Sequence, residues 1–123
     1  MSKKKARPVK LHLTERAVQD LIDIEAYSVK EWGKRVATKY LADIDQRLQL
    51  IKENPGVLAA AEGFPAFFQY YPTGSHVLIF DVRPRSLVLL TVIHGSRDIP
   101  KRLAEFAPAM ALEVEILHSK LAD

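Results

Sequence analysis

Two apolar runs separated by a short polar segment constrain this chain more than anything else in it. Residues 74–98 read GSHVLIFDVRPRSLVLLTVIHGSRD. Residues 77–82 and 87–93 are apolar almost throughout, without the in–out alternation of a strand that has one wet face. Such runs suit central strands covered on both faces, or covered on one and used for binding on the other. Arg83-Pro84-Arg85-Ser86 between them suits a tight turn. An antiparallel pair is therefore expected at the centre of a sheet, and other parts of the chain have to cover it.

The cover precedes it in sequence. Thr14 is a good helix N-cap, and Glu15 favours the positive end of the helix dipole. Val18, Leu21, Ile22, Val29 and Trp32 form a broad helical stripe, and Gly33 ends it. Ala37, Tyr40, Leu41, Ile44, Leu48 and Ile51 form a second stripe, which Asn54-Pro55-Gly56 stops. Almost nothing joins the two helices, so an antiparallel hairpin is expected. Trp32 and Tyr40 could be an exposed target-binding feature, but both lie on the apolar stripes and are expected in the core.

Residues 9–13 alternate apolar and polar and suit a short strand. Residues 57–66 read as a loop, residues 67–71 as an aromatic β-prone segment, and Pro72-Thr73-Gly74 as a turn. Phe67, Phe68, Tyr70 and Tyr71 are more than one strand face can bury, which makes them candidates for a partner surface. The fold class is α+β: an N-terminal helical hairpin packed on a small antiparallel β-sheet in two layers, with an extra C-terminal helix. Ser96 or Asp98 can cap the chain into helix, with Pro100 in the first turn. Pro108 is expected to interrupt. Beyond it, Met110, Val114, Leu117 and Leu121 form a stripe about three turns long, too short to stand alone and expected to pack in cis. The expected organisation is a basic flexible arm over 1–10, a domain over 11–107 and a helical tail over 108–123.

The chain has 123 residues, one domain's worth, with a formal net charge of +3. The charge is uneven. Residues 1–10 carry Lys3, Lys4, Lys5, Arg7 and Lys10 and no acid. The remainder has 13 Lys and Arg against 15 Asp and Glu, a net of −2. The arm could touch nucleic acid or an acidic partner, and the alternative is a solubilising tail. The body's basic group is Arg83, Arg85, Arg97, Lys101 and Arg102. There are no cysteines, so disulfides and thiolate metal sites are excluded. No apolar run could span a bilayer, and no apolar segment follows the basic start as in a secretory signal. A cytoplasmic location is expected.

No phosphate-cradling glycine loop, HExxH or Gly-x-Ser-x-Gly elbow is present. His12, His76, His94 and His118 are scattered without ligand spacing, so neither a metal nor a cofactor is expected. His94 is the best single candidate for acid–base work, ending an apolar strand with Arg97 and Asp98 close by. Cleavage of RNA at a ribose 2′-hydroxyl needs a base, cations for the phosphorane and a proton donor. His94, Arg97, Arg83 and Arg85 could supply these. In the alternative, which the residues favour, His94 caps the strand and bonds backbone, while Arg97 pairs with Asp98 or an acidic helix residue.

The order of helix hairpin, Gly-x-x-Val-Leu-Ile-Phe strand and His94-Gly95-x-Arg97-Asp98 corner resembles the ParE/RelE superfamily of toxins, from about Leu11 to Leu103 and most closely the ParE branch. The resemblance implies the toxin of a type II toxin–antitoxin pair. Its partners would be a cognate antitoxin and, for ParE-like members, DNA gyrase, with no catalytic residues. RelE-like members instead cleave mRNA on the ribosome, and keep Lys and Arg along the central strands. Here those strands carry almost no charge within them. Many family members have Arg where this chain has Gln69, and Tyr where it has Asp81, so a third reading is a degenerate member that only binds antitoxin. The candidate binding residues are Phe67, Phe68, Tyr70, Tyr71, Arg83, Arg85, Arg97 and Arg102. Plasmid stabilisation and growth inhibition are the implied roles, and direct nucleic-acid binding is expected at most through the basic arm.

Overall fold

The computed structural model of the protein describes residues 9–64 and 68–121, with side chains through 120. Residues 1–8 of the basic arm, Phe67 and the Leu121 side chain lie outside the described residues. Elements run in the order β1 (Lys10–Leu13), α1 (Glu15–Trp32), α2 (Lys34–Glu53), β2 (Phe68–Thr73), β3 (His76–Arg83), β4 (Ser86–His94) and α3 (Ile99–Leu121), with a short 3-10 turn at Pro55–Val57. Lys10 therefore belongs to a strand and not to the arm.

One four-stranded sheet forms, in the order β1-β4-β3-β2. β2, β3 and β4 are antiparallel, as the tight turn at Pro84-Arg85 requires. β1 joins the outer edge of β4 in parallel, so the sheet is mixed. A parallel neighbour needs a long crossover, and the helical hairpin followed by β2 and β3 is the chain between them. Pro72 and Thr73 continue β2 instead of turning, and the turn is shifted to Gly74 and Ser75. Pro72 is tolerated because β2 is an edge strand, where a missing N–H breaks no ladder bond.

Every residue of β4 except its last is buried, which explains the unbroken apolar run. The sheet is covered on both sides, making three layers where two were expected. On one face Ile24, Ile44, Leu48 and Ile51 of the hairpin pack against Leu78, Phe80, Leu87 and Leu89. On the other, Leu103, Met110, Val114 and Leu117 of α3 pack against Ile79, Val88, Leu90 and Ile93. A register shift between Ile79 and Phe80 marks a bulge in β4 near Leu90. Around it the β4 backbone is tied to the start of the hairpin: the Thr14 hydroxyl donates to the Leu90 carbonyl at 2.7 Å and accepts from the Ala17 N–H at 3.0 Å.

Pro108 does not interrupt α3, which runs through it. A proline inside a helix costs about 3 kcal/mol. Met110, Val114 and Leu117 beyond it are buried, each contributing roughly 1.5–3 kcal/mol, so packing outweighs the proline. Pro108 itself faces solvent, and water can reach the carbonyl left without a donor. The tail packs in cis on the sheet, as its stripe demands. It also serves the hairpin, because Glu113 accepts from the Glu15 N–H at 2.8 Å and so caps α1.

Candidate functional site

α1 carries apolar residues on two sides, and the sheet covers only one of them. Ala17, Ile24 and Ser28 are buried. Val18, Ile22, Val29 and Trp32 are 45%, 52%, 42% and 60% exposed, and Tyr27 is exposed as well. The expectation that Trp32 forms core is overturned, and of its stripe Leu21 alone packs against the core. A stripe this broad wraps more of the helix than one sheet can cover, and the small residues Ala17 and Ser28 let α1 approach closely, which turns the larger ones outward. Trp32 meets Tyr27 edge to face, ring centroids 5.7 Å apart.

Gly33 at φ +91° is the whole connection to α2, a backbone state an L side chain rarely adopts. The tight link sets Val36 and Tyr40 beside the end of α1. Here a cleft of about 650 Å³ opens between the hairpin and the β4–α3 corner, with Trp32, Tyr27 and Tyr40 on one side and His76, His94 and Arg97 on the other.

Tyr40 is held in this cleft and only partly buried. Its hydroxyl lies 2.7 Å from His76 Nδ1 and accepts from the Ser75 N–H at 2.9 Å. Gly74 makes room for it: a Cβ there would lie 2.5 Å from the Tyr40 ring, and φ is +58°. The His76 and His94 rings lie edge to face at 5.3 Å. Burial, then the neighbouring His94, pushes the His76 pKa below its ordinary value, so His76 is neutral near pH 7.

His94 ends β4 exposed and bonds backbone locally, accepting from the Ser96 N–H on Nδ1 at 3.1 Å, with the Ser96 hydroxyl at 2.8 Å. Its Nδ1 lone pair is thus engaged. Arg97 does not pair with Asp98; Asp98 instead caps α3 by accepting from the Lys101 N–H at 3.2 Å.

The basic residues grouped by sequence fall at opposite ends of the sheet. Arg83 and Arg85 flank the turn before β4, and Arg97 and Arg102 follow its far end. The nine residues of β4, eight intervals of about 3.3 Å, put roughly 26 Å between them. Arg83 is engaged by Asp81 and by Glu115 of α3, at 2.9 Å each, while Arg85 is exposed. The aromatic candidates divide likewise. Phe68 and Tyr70 pack into the α3-side cluster, and Tyr71 into the hairpin-side cluster, all half-buried. The outer edge of β2 is blocked at Tyr70, which exchanges both backbone bonds with Ala59, and Pro72 offers no N–H. Strand addition there is therefore disfavoured. Tyr40, weighed as a binding feature but expected in the core, lines the cleft with His76, which was missed because nothing in the sequence joins positions so far apart.

Among the described residues no group of His, Cys, Asp or Glu could hold a metal ion, and no helix is long and apolar enough to cross a membrane.

Residues 11–99 match the family model described as the ParE toxin of the type II toxin–antitoxin system parDE. A curated relative, Toxin ParE1 of Caulobacter vibrioides, is 33% identical over 86 residues, 70% of this chain and 88% of the relative. A chain of the chromosomal ParDE system of P. aeruginosa has a similar fold, with TM-score 0.61 and 18% identity over 70% of this chain and 95% of its own. So does a chain of the toxin–antitoxin complex RelBE2 of Mycobacterium tuberculosis, with TM-score 0.54 and 17% identity over 77% of this chain and all of its own. Most of α3 lies beyond the matched family segment.

Proposed function

This chain belongs to the ParE family of toxins of type II toxin–antitoxin systems, and on that premise we propose that it binds a cognate antitoxin and, when unbound, inhibits DNA gyrase by binding and not by catalysis. The observation that carries this reading is the uncovered stripe of Val18, Ile22, Val29 and Trp32. It runs along one helix and ends at an aromatic-rimmed cleft. A large tryptophan left in water beside a concave surface suits an anchor for a protein partner. Because α3 already covers the far sheet face, the antitoxin segment lies along the hairpin and reaches Arg97 and Arg102. Arg83 is engaged by α3 and contributes less.

Expression of the chain alone should arrest growth, and co-expression with the antitoxin encoded beside it should restore growth and yield a stable complex. Failure of any neighbouring antitoxin to bind would remove this reading.

A second reading, ribosome-dependent mRNA cleavage, rests on the packing of His76, His94 and Arg97 about one cleft. Loss of mRNA cleavage on His94→Ala, with an exposed control substitution harmless, would support it over the first.

A further inference from the structure

Resting on the antitoxin reading above, we propose that the cavity at the β4–α3 corner is a subsite for one carboxylate of the partner, on a residue that lies beside a bulky apolar side chain. Arg16 of α1, Arg97 of the corner and Arg102 of α3 line one cavity of about 170 Å³. None of the three has a carboxylate at ion-pair distance among the described residues. Arg16 is fixed over the Phe106 ring, its Cζ 4.5 Å from the centroid. Nε of Arg102 is buried and has no hydrogen-bond partner among the described residues.

A buried donor left unmatched is costly, and native chains retain few of them. The free protein gains nothing from this one. Burial puts this Nε beyond the reach of an oxygen in the cavity, but Arg102 lines it with Arg16 and Arg97, and a carboxylate entering there meets guanidinium groups with no carboxylate of their own among the described residues.

The neighbouring surface fixes what accompanies the carboxylate. His76, His94 and Arg97 line both this cavity and the larger cleft rimmed by Tyr27 and Trp32. An acidic residue on the arginines therefore places its neighbours against aromatic rings.

Charge decides between a carboxylate and a nucleic acid. The three arginines share the cavity with Asp20 and Asp23, which leaves a net of +1. Asp20 is already an acceptor for the Thr91 hydroxyl and for the Val92 N–H. His76 is neutral near pH 7, since burial and then His94 lower its pKa. One net charge suits a single carboxylate. A phosphate backbone is held by a run of cations, which this cavity lacks.

The test uses the full chain and its cognate antitoxin. Arg102→Met keeps the stem and removes the guanidinium. It should leave the free chain's Tm equal to or above wild type, and weaken antitoxin binding about tenfold or more by calorimetry. Lys120→Met, exposed near the far end of α3, should leave affinity unchanged. Arg102→Glu should abolish binding, and a Lys in place of one antitoxin Asp or Glu should restore it. Full affinity in Arg102→Met, with the antitoxin still bound, overturns the subsite and leaves the antitoxin reading intact. Absence of antitoxin binding to wild type overturns that reading itself. Binding of a labelled single-stranded oligonucleotide that Arg102→Met removes, with antitoxin affinity unchanged, overturns the carboxylate in favour of phosphate. If Arg102→Met melts below wild type, Arg97→Met repeats the affinity test, and its unchanged binding likewise overturns the subsite.

Discussion

His118, close to the end of α3, meets Asp81 of β3 with Nε2 2.9 Å from Oδ1, both side chains nearly excluded from solvent. The other imidazole nitrogen, Nδ1, lies 2.5 Å from the Ser86 hydroxyl. A neutral imidazole satisfies both partners, its Nε2–H donating to Asp81 and its Nδ1 accepting from Ser86. Asp81 also accepts from Arg83, whose guanidinium reaches on to Glu115. Asp81 is thus the point at which this chain fastens α3 to the sheet.

Removing one member of a buried, charged network strands the others. Asp81→Ala should therefore cost about 3 kcal/mol, measured by urea denaturation. Amide exchange should rise first in the second half of α3. A loss below about 1 kcal/mol, with α3 still protected, would mean that apolar packing alone holds the helix.

The same network makes stability depend on pH. Burial is the largest influence on His118 and lowers its pKa; His76 is lowered likewise. The unfolded chain takes up protons near the ordinary value of about 6.5, before the folded chain does. Stability is therefore full above about pH 7 and falls as pH drops below that value toward the lowered pKa of each folded imidazole. Denaturation midpoints at about pH 7.5 and 5.5 should differ in wild type and differ less in His118→Gln. A midpoint that rises on acidification would contradict the assignment.

Gly74 joins two constraints in one residue. Its φ is +58°, and a Cβ would meet the Tyr40 ring at 2.5 to 2.9 Å. Gly74→Ala should lower stability by about 1–3 kcal/mol. Tyr40→Ala in the same chain should recover part of that loss, because the steric share disappears with the ring. Strict additivity of the two substitutions would show that Tyr40 does not approach Gly74.

The central strands, the hairpin and the cap at Thr14 were legible because each rests on local periodicity or local hydrogen bonding. The tail's stripe was legible for the same reason, and its packing in cis followed from its shortness. What escaped the sequence depends on distance. Nothing local says that residues 10–13 pair in parallel with β4, or that packing would carry a helix across Pro108. The basic residues looked like one group because spacing along the chain hides the length of β4. Trp32 was misplaced because helical spacing identifies apolar sides without saying which of them finds a cover. His94's local bonding was legible from its corner; the meeting of Tyr40 with His76 at its side was not.

The exposed stripe separates binding from folding. Ile22→Ser and Trp32→Ser should each change stability by only about 0.5 kcal/mol. Each should weaken the antitoxin complex about tenfold or more by titration calorimetry. Loss of stability with unchanged affinity would instead make the stripe part of the fold.

The central claim is that the free chain acts by binding a topoisomerase. Its most direct test is plasmid supercoiling by purified gyrase with increasing amounts of the purified chain. The account predicts inhibition that the antitoxin reverses and that His94→Ala retains once matched for folded protein. Unimpaired supercoiling, together with His94-dependent cleavage of mRNA on ribosomes, would contradict it.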